Sequence, residues 1–439
     1  MAVVKLKKGY DLCLEGAISD NSVTPLECRL CAVVPDDFQG LVPRLDVKEG
    51  DTVKRGDRLC HDRQYAEIAI TSPVAGTVKE IRRGERRKIE AIIIEKNEND
   101  SAKTFDVAGN AKSVLLESGL WACITQRPYA VVPNPNAKPR DIFVTAFDSA
   151  PLSHDMSLML ADKAEYVQRG LDVLASLTDG DVYVGIRKGF PYSMNNVVVT
   201  EFEGPHPAGN AGVQAANVKP VNKGETVWTM DIVTVARIGE LFATGKVPFT
   251  TVVAVVGPRA DKPRLVSCDM GTPLTAILSA GECADGNIRV ISGNVLNGQV
   301  VGTQGYLRSP YRQVTLIDEI DNPGEFMGWA SLSPSKFSVY RSFFSWLCPK
   351  RKVALDAKLN GGERAIVMAG EYDKMLPMDI YGEFLIKSII AFDIEKMEQL
   401  GIYEVAPEDF ALCEFADTSK LELQHIVRDG LDRLRKEME

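Results

Sequence analysis

Apolar and polar positions change their rhythm several times along the chain. Up to about residue 98, short alternating stretches are cut by charged turns. GLVPRLDVKEGDTVKRGDRLC carries strands separated by KEGD and KRGD, and IEAIIIEK at 89–96 alternates as a closing strand. The period then lengthens. KSVLLESGLWACI opens as a helix, IFVTAFDSAPL is a continuous apolar run suited to a buried strand, and residues 154–177 place apolar side chains at helical spacing. DVYVGIRKG and NVVVTEFEG have the pattern of parallel strands, and the Gly- and Pro-rich segment 203–221 reads as irregular. MDIVTVARIGELFATG returns to helix ahead of the strand TVVAVVGP. This alternation predicts an open, Rossmann-like α/β sheet over 103–256. Residues 257–330 revert to short strands, with TAIL as one helical turn. Beyond 331 the chain is mixed and mainly helical: PMDIYGEFLIKSIIAFDIEKMEQLG reads as helix, and Leu423, Ile426, Val427, Leu431 and Leu434 share one face of the last helix. The prediction is a multidomain α+β and α/β chain of four units, 1–98, 103–256, 257–330 and 331–439, with the charged ENDSAK as a linker after the first.

A length of 439 residues suits several cores rather than one. The formal charge of -9 argues against a nucleic-acid partner and against an anionic bilayer, unless a local basic patch overrides it. No apolar run approaches the roughly 20 residues of a spanning helix. The start, MAVVKLKKGYDLCLEG, lacks a signal-peptide block, so a cytoplasmic location is expected. Nine cysteines, an odd number, agree with reducing surroundings. Cys28 and Cys31 form a CxxC, with Cys13, Cys60 and His61 nearby in sequence. Buried thiols are expected there rather than zinc, because no second tight pair accompanies them.

The stretch 52–78, ending in TSPVAGTV, resembles lipoyl and biotinyl carrier domains, whose modified lysine sits at a hairpin tip. Counting back from Pro73 puts Tyr65 near that tip, and a tyrosine cannot form the carrier amide. Lys54 and Lys79 fall in the strand-and-turn framework. A barrel-sandwich hybrid without a modified lysine is therefore expected, kept for structure or docking. No strand runs into G-x-G-x-x-G, and VVGPRAD breaks at Pro258 where a phosphate loop needs free N–H groups. SAKT at 101–104 lacks the glycine of a flavinylation sequence, and CPK offers one thiol where a cluster needs several. Of the four histidines, His154 beside Asp155 reads as a cap or surface residue, and His425 as an ordinary helical one. His206, held between prolines in GPHPAG, forms a candidate site with Glu203. No residue is assigned to catalysis, cofactor or metal.

The strongest surface signal is KFSVYRSFFSWLCPKRK at 336–352. Phe337, Tyr340, Phe344 and Leu347 follow helical spacing, Phe343 and Trp346 lie alongside, and Lys336, Arg341, Lys350, Arg351 and Lys352 bracket them. Aromatics beside cations suit a membrane interface or a partner groove. Packing on the chain's own core is the competing account.

The order of these pieces resembles the NqrA family, the A-subunits of the sodium-translocating NADH:quinone reductase (NQR). More distantly it is similar to the C-subunit of the Rnf complex and to the complex I flavoprotein. The likeness spans the chain and rests on GDTVKRGDRL with TSPVAGTVKEIRRGERR, RPYAVVPNP with IFVTAFDSAPL, EGPHPAGNAGV, VWTMDIVTVARIGELFATG, RVISGNVLNGQ, and MLPMDIYGEFLIKSIIAFD with ALCEF. It implies a peripheral subunit on the cytoplasmic face of the bacterial inner membrane, in a six-subunit complex that oxidises NADH, reduces ubiquinone and exports sodium. In that family this polypeptide packs on the membrane-embedded B-subunit and is associated with the quinone end. FMN, FAD, riboflavin and iron–sulfur centres belong to its partners. The resemblance also implies a β-grasp domain of the soluble-ligand-binding type at 257–330. Two departures bear on cofactors. Where the flavoprotein relatives carry glycine-rich loops, QRPYAVVPNPNAKPR at 126–140 has four prolines, which remove donors. ALCEFADTSK has Ala416 and Asp417 where relatives often carry a second Cys-Pro, which argues against a metal at Cys413. Two other readings stay open, a docking or adaptor protein outside respiration and a soluble flavin- or NAD-binding electron-transfer subunit.

Overall fold

Residues 1–25 do not stay with the unit they precede. In the computed structural model, β1 (Ala2–Lys5) and β2 (Val23–Pro25) each join a different sheet further along the chain. The structure describes all residues except 162, 282–286, 321–336, 338, 340–342, 349–350, 360–361 and 439.

The N-terminal unit proper is built from β3 (Leu30–Val33), β4 (Pro43–Leu45), β5 (Thr52–Val53), β6 (Arg58–Asp62), β7 (Ala69–Thr71), β8 (Gly76–Arg83) and β9 (Ile89–Lys96). They form two antiparallel sheets, ordered β3-β9-β8-β5 and β4-β6-β7. Leu59, Cys60 and Ile70 of one sheet pack against Val78, Ile92 and Ile94 of the other, so the core lies between them; an irregularity in β6 between Arg58 and Cys60 interrupts its alternation. The β6–β7 turn is tied by the Asp62 carboxylate, which accepts from the backbone of Val42, Gln64 and Tyr65 at 2.8–3.1 Å. Tyr65, at this tip, is half-buried against the core of the α/β unit. The tip is thus a docked wedge.

Next come α1 (Ala111–Ser118), β10 (Thr125–Arg127), β11 (Asp141–Thr145), α2 (Ala164–Ala175), β12 (Val182–Ile186), β13 (Val198–Glu203), α3 (Ala211–Val218), β14 (Val227–Asp231) and α4 (Ile232–Thr244). Their sheet, ordered β1-β13-β12-β11-β14-β10, is parallel except for β10. Ile142 and Val144 pack with Leu171, Ile238 and Leu241 of α2 and α4, while Phe143 meets Ala215 of α3 on the opposite face. Both faces are covered, which is why the strand is apolar without interruption. The helices α2 and α4 cross closely through two glycines: a Cβ at Gly239 would strike the Tyr166 carbonyl, and one at Gly170 the Val235 carbonyl.

Two local expectations are corrected here. Segment 203–221 is not all irregular, because Ala211–Val218 forms α3. Its side chains are small, so no wide apolar stripe announces it. Residues 154–177 hold a 3-10 turn, Met156–Leu160, before α2, with Asp155 accepting from Ser157 N at 2.8 Å as its cap.

The second six-stranded sheet uses β15 (Thr250–Val256), β16 (Arg264–Asp269), β17 (Ile288–Ser292), β18 (Gln299–Val300) and β19 (Gln313–Asp318), with α5 (Leu274–Gly281) against it. Its order is β18-β17-β19-β15-β16-β2. Because β15 pairs with β16 and β19, the limit expected at 256 falls instead ahead of Thr250. A strand apolar from Val252 onward carries no mark of which sheet it will join.

The C-terminal unit contains α6 (Tyr372–Met375), α7 (Gly382–Ala391), α8 (Ile394–Gln399), α9 (Ala411–Ala416) and α10 (Leu423–Met438). The long helix expected from PMDIYGEFLIKSIIAFDIEKMEQLG is broken at Phe392, which takes φ 51° and separates α7 from α8. Leu423, Val427, Leu431 and Leu434 are buried along α10, as their spacing requires. This core continues onto Leu6, Leu12 and Leu14 of the N-terminal segment and Phe202 of β13. Among the described residues, no helix is long and apolar enough to cross a membrane.

Candidate functional site

From β11 the chain passes through α2 to β12 on one side, then returns through α3 to β14 on the other. The connections therefore diverge between the carboxyl ends of β11 and β14, where open α/β sheets leave a crevice. A cavity of about 500 Å³ lies there. Thr145, Asp148 and Asp231 come from the sheet's end, Arg308 and Arg312 from the segment before β19, and Glu408 and Arg428 from the C-terminal unit.

The sheet's end is locked by hydrogen bonds. Thr145 Oγ1 lies 3.0 and 2.8 Å from the carbonyls of Phe147 and Gly209 and accepts from Gln214 Nε2 at 3.0 Å. Asp231 closes β14 and caps α4, accepting from Thr234 N at 2.7 Å. The same carboxylate takes both ends of the Arg312 guanidinium, at 2.7 and 3.1 Å. Burial pushes Asp231 up, but Arg312 and Thr234 outweigh it and leave the carboxyl below the usual range. Arg308 is matched by Asp37 at 2.6 Å, which also accepts from Ser309 N at 2.8 Å. Burial nevertheless pushes Asp37 up to about 7. Arg428 donates to the carbonyls of Tyr129 and Ala130 and to Asp432. Arg308, Arg312 and Arg428 thus each have a carboxylate of the chain itself, while Arg237, also on the wall, donates to the Pro248 carbonyl at 3.0 Å.

This arrangement bears on a flavin or dinucleotide. The α4 N-terminus at the crevice is where a phosphate would sit. The carboxylate of Asp231 holds that position and would repel it.

His206, a sequence candidate, lies on the cavity wall, 5% exposed, with Nδ1 3.0 Å from the Ser149 hydroxyl. Ser149 Oγ in turn accepts from Gly209 N at 2.8 Å. Burial drops the His206 pKa to about 4, so the ring is neutral. Glu203 is not brought to it; it ends β13 in an ion pair with Lys5 at 3.1 Å. His154 departs from its reading as a cap or surface residue. It lines the cavity half-buried, its Nε2 is buried with no hydrogen-bond partner among the described residues, and burial, then Arg312, lowers its pKa to about 4. The sequence reading also missed Asp231, Arg312 and the Asp37–Arg308 pair. Asp231 was legible as the polar residue before an apolar helix, but its arginine lies 81 positions away.

In the aromatic–basic stretch, Phe337 and Val339 are not helical, and Phe344–Leu347 forms a single 3-10 turn, so continuous helical spacing does not hold among the described residues. Phe337 packs between Tyr10 and Phe415 at 6.2 and 5.6 Å, and Phe343 is buried. Phe344, Trp346 and Leu347 are 50%, 41% and 60% exposed. Tyr340 lies outside the described residues. Cys31 is buried with Sγ 3.5 Å from the Met270 carbonyl, and Cys413 is fully buried in α9. Burial raises both thiols.

Comparison with known proteins gives three matching family models: the NqrA N-terminal barrel-sandwich hybrid domain over 4–97, the NqrA second alpha/beta domain over 108–247, and the NQRA C-terminal domain over 252–302. Full-length relatives include the Na(+)-translocating NADH-quinone reductase A-subunit of Saccharophagus degradans, 37% identical over 99% of this chain and 100% of the relative. That of Hahella chejuensis is 36% identical over the same shares. Among solved structures, the air-oxidized NAD+-reducing [NiFe]-hydrogenase matches 75% of this chain and 64% of its own at 13% identity and a TM-score of 0.37, too loose a likeness to argue from.

Proposed function

Because the chain belongs to the NqrA family, the A-subunits of Na(+)-translocating NADH-quinone reductases, we propose that it works in such a complex as a peripheral subunit of the quinone-reducing end, docked on the membrane-embedded B-subunit at the cytoplasmic face. In this reading the units are a lipoyl-like sandwich, a Rossmann-like sheet and a β-grasp sheet that hold no cofactor of their own. FMN, FAD, riboflavin and iron–sulfur centres then belong to the partner polypeptides. The exposed Phe344, Trp346 and Leu347 turn supports the docking contact.

One observation carries the quinone assignment: two neutral imidazoles, His154 and His206, line one cavity of about 500 Å³. Pairing of Arg308, Arg312 and Arg428 with carboxylates of the chain favours an uncharged guest. A neutral imidazole serves both redox states of a quinone, since its N–H donates to a quinone carbonyl and its bare nitrogen accepts from a quinol hydroxyl. His206 is the second such ring in the cavity.

The test is photolabelling of the intact complex with a photoreactive quinone, followed by kinetics of His154→Phe. Label on peptides around His154 and His206, with a raised quinone KM and unchanged NADH oxidation by an artificial acceptor, supports the assignment. Label confined to the membrane-embedded partner with an unaltered KM would reduce this chain to a brace.

A further inference from the structure

The quinone cavity makes no use of the most basic stretch of the chain. IRRGERRK at 81–88 puts Arg82, Arg83, Arg86, Arg87 and Lys88 around one acid, Glu85, in a chain whose net charge is -9. All six of these charged residues are exposed. They occupy the end of the β8–β9 hairpin, past the reach of its neighbours: β3 pairs with β9 only over Ile92–Glu95, and β5 with β8 only at Gly76 and Thr77. From Arg82↔Ala91 outward no third strand joins the hairpin: Ile89 and Ala91 stay packed on the core, while the charged tip residues face outward.

At its tip Arg86 and Arg87 both adopt positive φ, 53° and 61°, a conformation that side-chain-bearing residues rarely take. Arg82 is matched by Glu80 at 3.1 Å and Lys88 by Asp36 at 2.6 Å. Arg83 donates to the Arg87 carbonyl. Among the described residues, Arg83, Arg86 and Arg87 have no carboxylate within ion-pair distance, and against Glu85 and the Glu90 carboxylate beside Gly84 the tip keeps a net positive charge. It also presents no apolar side chain between Arg82 and Lys88. A protein interface builds on an apolar core depleted of charge. An anionic headgroup layer asks only for cations at its surface.

We propose that the β8–β9 tip seats the chain on the anionic phospholipid surface beside its membrane partners, as the local basic patch that overrides an otherwise repulsive net charge. This rests on the peripheral seat proposed above and names the second surface that holds it. Each cation near such a surface strengthens binding about fivefold, so three together give roughly 100-fold.

Full-length chain is sedimented with vesicles of phosphatidylglycerol mixed with phosphatidylcholine, and with vesicles of phosphatidylcholine alone. Binding is expected only to the former, to fade as salt rises, and to weaken roughly 100-fold in R83Q/R86Q/R87Q. The lysine set R83K/R86K/R87K is expected to restore it, and equal melting temperatures of all three proteins separate charge from folding. Equal binding to both vesicle types, or no loss in the glutamine set, overturns the proposal. A glutamine set that keeps its vesicle binding but no longer co-purifies with the membrane-embedded partners also overturns it, assigning the tip to an acidic protein surface while leaving the peripheral reading intact.

Discussion

Arg127→Met is the substitution whose outcome the structure fixes most sharply. Arg127 ends β10, 1% exposed, and reaches into the C-terminal unit. Its NH1 donates to Asp409 at 2.6 Å and to the Glu404 carbonyl at 2.8 Å, and its NH2 to Glu408 at 2.8 Å. The guanidinium lies so close to α3 that any Cβ at Gly212 would collide with it. Among the described residues Arg127 Nε and Asp409 Oδ1 are buried without partners, so the intact pair adds little net stability once desolvation is counted. Breaking it is another matter. Methionine leaves the fully buried Asp409 side chain without its cation, a loss of about 3–5 kcal/mol against a domain stability of roughly 5–15 kcal/mol. That loss should appear first where the two units meet. Hydrogen exchange in α9 and the Pro407–Phe410 turn is expected to speed up by about a hundredfold or more, while α4 keeps its protection. The double change Arg127→Met with Asp409→Leu removes both charges and should recover most of the loss. If the double variant is as unstable as the two single losses added together, within about 0.5 kcal/mol, the buried-charge argument fails.

Three further outcomes follow from the site and the surface. Folded His206 stays neutral down to about pH 4 while an unfolded histidine takes its proton near 6.5, so the unfolded state gains as pH falls through that window. Its share of the stability is fully present above about pH 6.5 and shrinks by about 2–3 kcal/mol at about pH 4.5; urea melts of His206→Asn should show a shallower acid loss, and an unchanged slope would remove His206 from the account. Asp231→Ser keeps a cap on α4 but frees Arg312, so inorganic phosphate should raise the melting temperature of the variant and not of the natural chain. A phosphate response in both would show that Asp231 does not block the helix end. Phe344→Ser with Trp346→Ser should lower recovery of the membrane-embedded partners in a pull-down at unchanged melting, whereas Phe343→Ser should destabilise the chain itself by about 2–4 kcal/mol. Normal assembly with all three as serine returns the turn to the chain's own packing.

Local rhythm was enough to read much of this protein. The alternating N-terminal strands, the buried run IFVTA, the helix that starts within MDIVTV and the stripe of α10 each expose one face or none, so their periodicity can be read from neighbours in sequence. The motif order that resembles one respiratory family was legible for the same reason. Tertiary structure decided the rest. A strand such as Thr250–Val256 is apolar from Val252 onward and joins whichever sheet is within reach, and β1 and β2 were claimed by sheets that form roughly 200 or more residues later. The cavity, its matched arginines and the neutrality of His154 and His206 arise where four units meet. Burial and ion pairing act through space, and no period along the chain encodes them.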